Sequence, residues 1–403
     1  MQKNILIITQ EYPADDLEKE FTPVVHFFTK EWVKQGYNVL VLNFPSNFPI
    51  VYYWGAKFFR RKIESRLGIN IRTYWLSNRE YELDGVKVAR IPLRKMKPHG
   101  RFPQGQLANG IKQSIDFCNK NNFKPNVIIG HWTNPTVDIM LGLKQVYNVP
   151  CALSMHDGGF DFKSIYKDEK EAIFSKIDCW GYRSYPIKRE FEACFGIMPK
   201  SYMCFSGVPS EYVRGNEERV FNGVSRFLFV GLLLKRKHPF EFVKALDDSD
   251  IKDYSLDIVG QGDESVAIKQ YIQKNPCLQS KVHLCGRIPR DEVSKKMRLA
   301  DVFCMISKSE AFGLVYIEAM AAGCITIASR NEGFDGIIKD GENGFLCEAG
   351  NVEELTTIIN KISLMNSEAL KRVSENAVAT AQKMTDEKVA ESYIKDIERL
   401  LSL

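Results

Sequence analysis

The 403-residue chain is 44% hydrophobic and 26% charged, the balance of a globular protein, and it is too long for one ordinary core, so two domains are expected. A net charge of +5 is small for this length and gives no reason to expect nucleic acid as a partner. Ten cysteines form no CxxC pair, and most, such as Cys285, Cys304 and Cys324, sit in apolar runs; this argues against a disulfide framework or a zinc site and fits reduced, buried thiols.

The chain opens MQKNILIITQEYP, whose apolar run of about five residues is too short for the apolar region of a signal peptide. No stretch approaches the roughly 18 apolar residues of a membrane span, so a cytoplasmic protein is expected. Short apolar strands then alternate with amphipathic helices. The first half reads as strands Asn4–Thr9, Asn38–Asn43, Val86–Ile91, Asn126–Gly130 and Cys151–Met155, with helices at Pro23–Lys34, Gln106–Asn119 and Thr136–Val146. The second half repeats the rhythm: strands Arg226–Val230, Ser255–Val259, Lys281–Cys285, Val302–Ile306 and Cys324–Ala328, with helices near His238–Leu246, Glu264–Gln273, Arg290–Leu299 and Leu314–Ala322. Strands apolar on both faces belong in parallel sheets covered by helices, which makes the fold class α/β with doubly wound sheets. A polar, turn-rich stretch near Ser206–Asn222 marks the boundary, and 385–403 continues as a helical pattern with no strand after it. The expected domains are 1–210 and 211–384, with a C-terminal helix over 385–403 that crosses back to the first domain.

In sheets of this kind ligands bind beyond the carboxyl ends of the strands. After Val302–Ile306 comes SKSEAFGLVYIEAMAAG, in which Glu310 and Glu318 are separated by seven residues. Gly313 allows close backbone approach, and the helix expected from Leu314 presents unpaired amides from Gly313 to Tyr316, an anion site. Glu318, one turn in, leans back toward the same place and can accept two hydroxyl hydrogen bonds from a ribose.

This stretch resembles the Glu–x7–Glu signature of glycosyltransferase family 4, whose members are retaining enzymes with the GT-B fold: two Rossmann-like parallel-sheet domains facing a cleft. The resemblance extends through SEAFGLVYIEAMAAGCITIAS and DGENGFLCEAGNVEEL, and covers FLFVGLLLKRK, SLDIVGQGDE and VHLCGRI in the same order. It implies that Glu310 contacts the transferred sugar and that Glu318 binds the ribose. The amides of Phe312, Gly313, Leu314 and Val315 would hold sugar hydroxyls and phosphate. Lys237 would meet the diphosphate, and Gly286 and Arg287 would border the base. The family often carries arginine directly after the glycine of the first strand of this half; here Gly231 is followed by Leu232, and Lys235 or Arg236 is expected to substitute. Asp248–Ser249–Asp250 reads as a DxD metal motif, but it follows a helix at the wrong end of the strands, and no metal is expected, the charge being met by cations and helix N-termini.

The first half resembles the family around PNVIIGHW and PCALSMHD. That match implies that His156 contacts the transferring sugar, and His131, Trp132 and Asp157 fall on the acceptor side. A histidine beside an aspartate is also a candidate oriented base. The loop TQEYPADDLEKEFTPVV lacks the glycine pair many relatives have there; Thr22 reads as an N-cap and Pro23 as the first helical residue. Tyr52, Tyr53, Trp54, Phe58 and Phe59 lie beside Lys57, Arg60, Arg61 and Lys62, and residues 87–101 carry six basic residues and no acid. Such mixtures suit the anionic inner face of a membrane, and a core-packing helix with a solvated basic end reads equally well.

The resemblance therefore implies transfer of a hexose or N-acetylhexosamine from a nucleotide sugar, UDP being the commonest nucleotide in the family, to a glycan or lipid-linked acceptor in surface-polysaccharide synthesis. A nucleotide-sugar epimerase and a catalytically silent sugar-nucleotide-binding subunit remain as alternatives. A dehydrogenase is disfavoured because no GxGxxG follows the first strand.

Overall fold

The computed structural model describes residues 3–17, 23–67, 72–97, 100–215 and 219–403; the side chains of 60–67 lie outside that description. The chain divides into two compact units. One comprises Met1–Arg183, Ile187–Phe205 and Asp386–Leu403; the other comprises Ser184–Pro186 and Ser206–Thr385.

The first unit is built on an eight-stranded sheet in the order Ser201–Met203, Cys179–Tyr182, Cys151–Met155, Val127–His131, Asn4–Thr9, Asn38–Asn43, Val86–Arg90, Arg79–Leu83. All neighbours are parallel except the last pair, a hairpin. Val127–His131 and Cys151–Met155 are buried at every position, because helices cover both faces. Helix Val24–Lys34 begins at Val24 with Pro23 at the cap, one residue later than the sequence suggests. It packs on the terminal helix Asp386–Leu401: the Trp32 indole donates to the Ala390 carbonyl (2.8 Å), and the Tyr393 ring meets Phe28 and Trp32 edge-on, each at 5.1 Å.

The second unit carries a six-stranded, wholly parallel sheet: Val282–Gly286, Ser255–Val259, Arg226–Val230, Val302–Cys304, Ile325–Ser329, Phe345–Cys347. Numbered within the unit, that is the order 3-2-1-4-5-6, so the connections leave in opposite directions from the pair Arg226–Val230 and Val302–Cys304. Its closing helices are capped by side chains: Asn351 Oδ1 accepts from the Glu354 amide (3.0 Å) and Asn366 Oδ1 from the Ala369 amide (2.8 Å).

All ten cysteines are free thiols; seven, including Cys304 and Cys324, are buried, but Cys285, which the sequence suggests is buried, is only half-buried, and Cys194 and Cys277 are exposed. Among the described residues no helix is long and apolar enough to cross a membrane.

Candidate functional site

The reversal in strand order of the second unit sets apart the loops after its two central strands, and the signature residues lie in those loops. The loop after Arg226–Val230 turns at Gly231 and rises into one helical turn over Lys235–Lys237. It is braced by the neighbouring loop: the Gly231 amide donates to Val259 O (3.0 Å) and the Leu233 amide to Gln261 O (2.9 Å). Gly260 has to be glycine, since a Cβ there would sit 1.8 Å from the Gly231 carbonyl oxygen. From the other side, the Lys308 amide donates to Arg236 O (2.7 Å), joining the two loops that flank the reversal. The Lys237 ammonium consequently meets the Glu310 carboxylate in an ion pair in which both side chains are largely buried. The Glu310 amide donates to Glu332 Oε2 (2.7 Å), which anchors the loop.

Gly313 caps helix Leu314–Ala321 with φ +86°, and a Cβ there would lie 2.4 Å from the Tyr316 ring. That ring is buried, its hydroxyl donating to Met305 O (2.7 Å). The Tyr316 amide bonds Gly313 O (3.0 Å), so it is not one of the free amides expected from the sequence; Leu314 and Val315 begin the helix and have no intrahelical acceptor. The Phe312 ring is buried against Phe334 (5.2 Å), which leaves only its backbone for a ligand.

Glu318 Oε1 accepts from the Arg290 guanidinium at 2.5 Å. Burial raises the Glu318 pKa, and the Arg290 charge opposes the rise. The Arg290 guanidinium also lies over the Tyr212 ring (5.1 Å). Sequence reasoning missed Arg290: an exposed cation at the start of a helix carries no signal until Glu318 is placed beside it. Leu232, standing where the family often has arginine, is half exposed. Lys235 is exposed, Arg236 half-buried, Arg287 exposed, and Gly286 has open space where a Cβ would be. Asp248 is the C-cap of helix Pro239–Asp247 and Asp250 bonds Asn360 through its amide (2.9 Å). Among the described residues no group of three or more histidine, cysteine, aspartate or glutamate side chains is placed to hold a metal ion.

In the first unit a second cluster forms where its own strand order reverses, at Val127–His131 beside Asn4–Thr9. His131 Nδ1 lies 3.1 Å from His156 Nε2, and the Trp132 ring stacks on His156 at 3.9 Å. The chain continues from His131 Nε2 to the Tyr393 hydroxyl (3.2 Å) and on to Ser154 Oγ (2.7 Å). Burial, with the nearby Arg183 charge, lowers His131 to about 3 and holds His156 well below the usual imidazole range. Both rings are therefore neutral hydrogen-bonding groups at physiological pH. Asp157 does not orient His156: its Oδ1 accepts from the Gly159 (2.6 Å) and Phe160 (2.9 Å) amides and holds the turn that leads into the short helix Phe160–Ser164. Tyr393 was missed because its spacing with Val389, Ala390 and Ile397 reads as core. Thr22 lies outside the described residues.

The basic stretch 87–101 is not a uniform solvated patch. Arg90 is buried and forms a two-pronged pair with Asp16 (2.8 and 2.7 Å), Arg101 pairs with Glu169, and Lys95 is buried. On helix Ile50–Leu67, Trp54, Phe58 and Phe59 are exposed, Tyr52 is half-buried, and Tyr53 is buried; Arg60 and Arg61 have side chains outside the description.

Residues 216–380 match the family described as Glycosyl transferases group 1. That match falls within the second unit and spans most of it. An uncharacterized glycosyltransferase of Methanocaldococcus jannaschii is 28% identical over 68% of this chain and 76% of its own length. N-acetyl-alpha-D-glucosaminyl L-malate synthase of Bacillus anthracis is 32% identical over 45% of this chain, a match that spans 46% of that enzyme. An Anabaena protein solved in complex with UDP and glucose superposes with a TM-score of 0.67 at 16% identity, covering 99% of this chain and all of the other. The fold is accordingly GT-B, α/β with Rossmann-like parallel-sheet units. Lys237, Glu310, Gly313 and Glu318 all lie within the residues that match the group 1 family.

Proposed function

We propose that the chain is a retaining, metal-independent glycosyltransferase that moves a hexose or N-acetylhexosamine from a UDP-sugar to a glycan or lipid-linked acceptor in surface-polysaccharide synthesis. The observation that carries this reading is the Lys237–Glu310 ion pair at the strand-order reversal, one turn of helix from Glu318. A donor would exchange both pairs: diphosphate for Glu310 on Lys237, sugar hydroxyls for Lys237 on Glu310, and ribose hydroxyls for Arg290 on Glu318. Lys237 and the amides of Leu314 and Val315 would stabilise the leaving diphosphate. The bond from the anomeric carbon to the diphosphate oxygen breaks dissociatively, the acceptor hydroxyl attacks the same face, and its proton passes to the departing phosphate oxygen. The neutral His131–His156 pair is assigned to the acceptor side as a hydrogen-bonding group and not as a cation.

Thermal unfolding with UDP, GDP, ADP and CMP in turn tests the reading. A nucleotide at a hundred times its dissociation constant adds about 2.7 kcal/mol, a readable shift. A shift with one nucleoside diphosphate, lost in Glu318→Ala, supports the donor site; none with any nucleotide removes it. A silent binding subunit is the second reading, favoured by leucine at position 232, and would bind the nucleotide without ever releasing it from a donor. Product analysis without acceptor separates an epimerase. We also assign the exposed aromatic residues of helix Ile50–Leu67 to peripheral docking on the cytoplasmic membrane face; no co-sedimentation with anionic vesicles at low salt would remove that assignment.

A further inference from the structure

Past the carboxyl ends of Asn38–Asn43 and Val86–Arg90, the first unit continues as two short parallel strands, Ser46–Asn47 and Leu93–Arg94. Arg94 of the second of these, with the start of helix Ile50–Leu67 and residues 73–75, lines an open cavity of about 820 Å³. Asn47, buried, fixes its wall. Asn47 Nδ2 donates to Leu76 O (2.8 Å), and Oδ1 accepts from the Leu76 amide (3.1 Å) and the Tyr53 hydroxyl (3.3 Å). The cavity is preformed by these bonds. It is lined by aromatic and aliphatic surface, including Trp54, Trp75 and Met96, and by the cations Lys57, Arg94 and Lys95, with no carboxylate among the described lining residues.

Lys95 is the residue that requires an explanation. It is 7% exposed, and its ammonium lies over the Phe102 ring at 4.8 Å and the Phe48 ring at 6.0 Å. Among the described residues its side chain makes no ion pair and no hydrogen bond. Its desolvation lowers its pKa, opposed only by the charge of Asp161. A buried ammonium with a carboxylate near but none bonded to it is costly, and cation–π contacts of about 0.5–2 kcal/mol offset only part of that cost. An anion in the cavity would supply the missing partner. Arg94, stacked on Trp75 at 4.7 Å, adds a planar fork suited to phosphate oxygens. The apolar remainder calls for a hydrocarbon chain on that anion. The same helix exposes Ile50 and Trp54, which line the cavity, and Phe58 outside it, four residues apart and so on one face. A chain too long for the cavity would meet that face, as would the bilayer that presents it.

We propose that this cavity binds a lipid phosphate, with its phosphate on Lys95, Arg94 and Lys57 and its first carbons against Trp54, Trp75 and Met96. As a binding site it does not depend on the transferase reading, and its test uses no nucleotide sugar and reads no turnover. Isothermal titration calorimetry of the full chain compares farnesyl phosphate, farnesol and inorganic phosphate. Farnesyl phosphate should bind about tenfold or more tightly than either other probe, since only it makes both the charge-assisted and the apolar contacts. Lys95→Met, which removes a buried charge while keeping the side-chain length, should bring farnesyl phosphate down to the level of farnesol. Arg94→Gln, at an exposed position that folding tolerates, should weaken farnesyl phosphate and leave farnesol unchanged, and it carries the test if Lys95→Met does not fold. Trp54→Ala should weaken both chain-bearing probes. Farnesyl phosphate affinity unchanged in the charge variants, or inorganic phosphate binding as tightly as farnesyl phosphate, overturns the proposal.

Discussion

Lys237 and Glu310 stand 73 residues apart in the chain and are joined as an ion pair, each on a loop that leaves a central strand of the second sheet. Each holds the other until a ligand separates them. Lys237→Ala should lower kcat by about 10²–10³-fold, the effect of removing one donor to a developing negative charge. Glu310→Ala should lower kcat more than it lowers donor affinity, because the transferred sugar loses a partner while Lys237 is freed for phosphate. The double variant should cost less than the product of the two single effects, since each single change also strands the other charge. Steady-state release of nucleoside diphosphate from all four forms measures this; strict additivity would mean that the two groups act separately.

The Glu318–Arg290 pair sets a pH dependence. Burial raises the Glu318 pKa, so in the free protein this carboxyl holds its proton to a higher pH than an ordinary glutamate, near 4.3. Ribose hydroxyls donate to the carboxylate, so binding must expel that proton. Nucleotide affinity should therefore fall as pH drops through the raised pKa and be complete above it. Arg290→Met removes the charge that opposes the rise and should move the midpoint of the fall upward. Glu318→Gln should flatten the profile and weaken binding by about tenfold or more, the loss of at least one charge-assisted hydrogen bond. Nucleotide titrations across acidic pH would show it; identical profiles in wild type and Glu318→Gln would take Glu318 out of the site.

Leu232 is half exposed on the loop that leads to Lys235–Lys237, so a longer side chain can enter without displacing core. Leu232→Arg should tighten nucleoside-diphosphate binding several-fold, up to the roughly tenfold of one charge-assisted contact, with little change in unfolding temperature when no nucleotide is present. Thermal shift with and without UDP reads both quantities. No gain in affinity would mean that the Lys235–Lys237 turn already fills that role.

The strands that position these groups were legible because they are buried on both faces: Asn4–Thr9, Asn38–Asn43, Cys151–Met155, Arg226–Val230 and Ser255–Val259 are unbroken apolar runs or nearly so, with the bounds read from the sequence. Arg79–Leu83 was not legible, because REYEL is an edge strand whose residues are all at least partly exposed. Phe345–Cys347, at three residues, is too short for any period to show. Glu310 and Glu318 could be picked out by their spacing in a recognisable stretch. Arg290 and Tyr393 could not, since each acquires its partner only through tertiary packing. Arg90 misled in the opposite direction: in a basic run it reads as surface, yet it lies buried between Val88 and Leu93 on an Asp16 counter-ion that sequence distance conceals.

The paired histidines of the first unit make its stability pH-dependent. Burial places His131 at about 3 and His156 well below its ordinary value, while both titrate near 6.5 when the chain is unfolded. Between those limits the unfolded chain binds protons that the folded chain excludes. Unfolding free energy therefore rises with pH through this window: the contribution is fully present above about pH 6.5 and is lost as pH falls toward the folded values. At pH 5 His131 should cost about 2 kcal/mol relative to pH 7, of which relaxation and water entry will recover part, and His156 acts in the same direction. His156→Gln keeps a hydrogen-bonding side chain beside His131 and removes one titrating group, so its unfolding temperature should depend less steeply on pH than that of the wild type. Urea titrations at pH 5, 6 and 7 on both proteins measure the slopes. Parallel slopes would mean that His156 is protonated in the folded protein, and the acceptor-side cluster would then have to be treated as cationic.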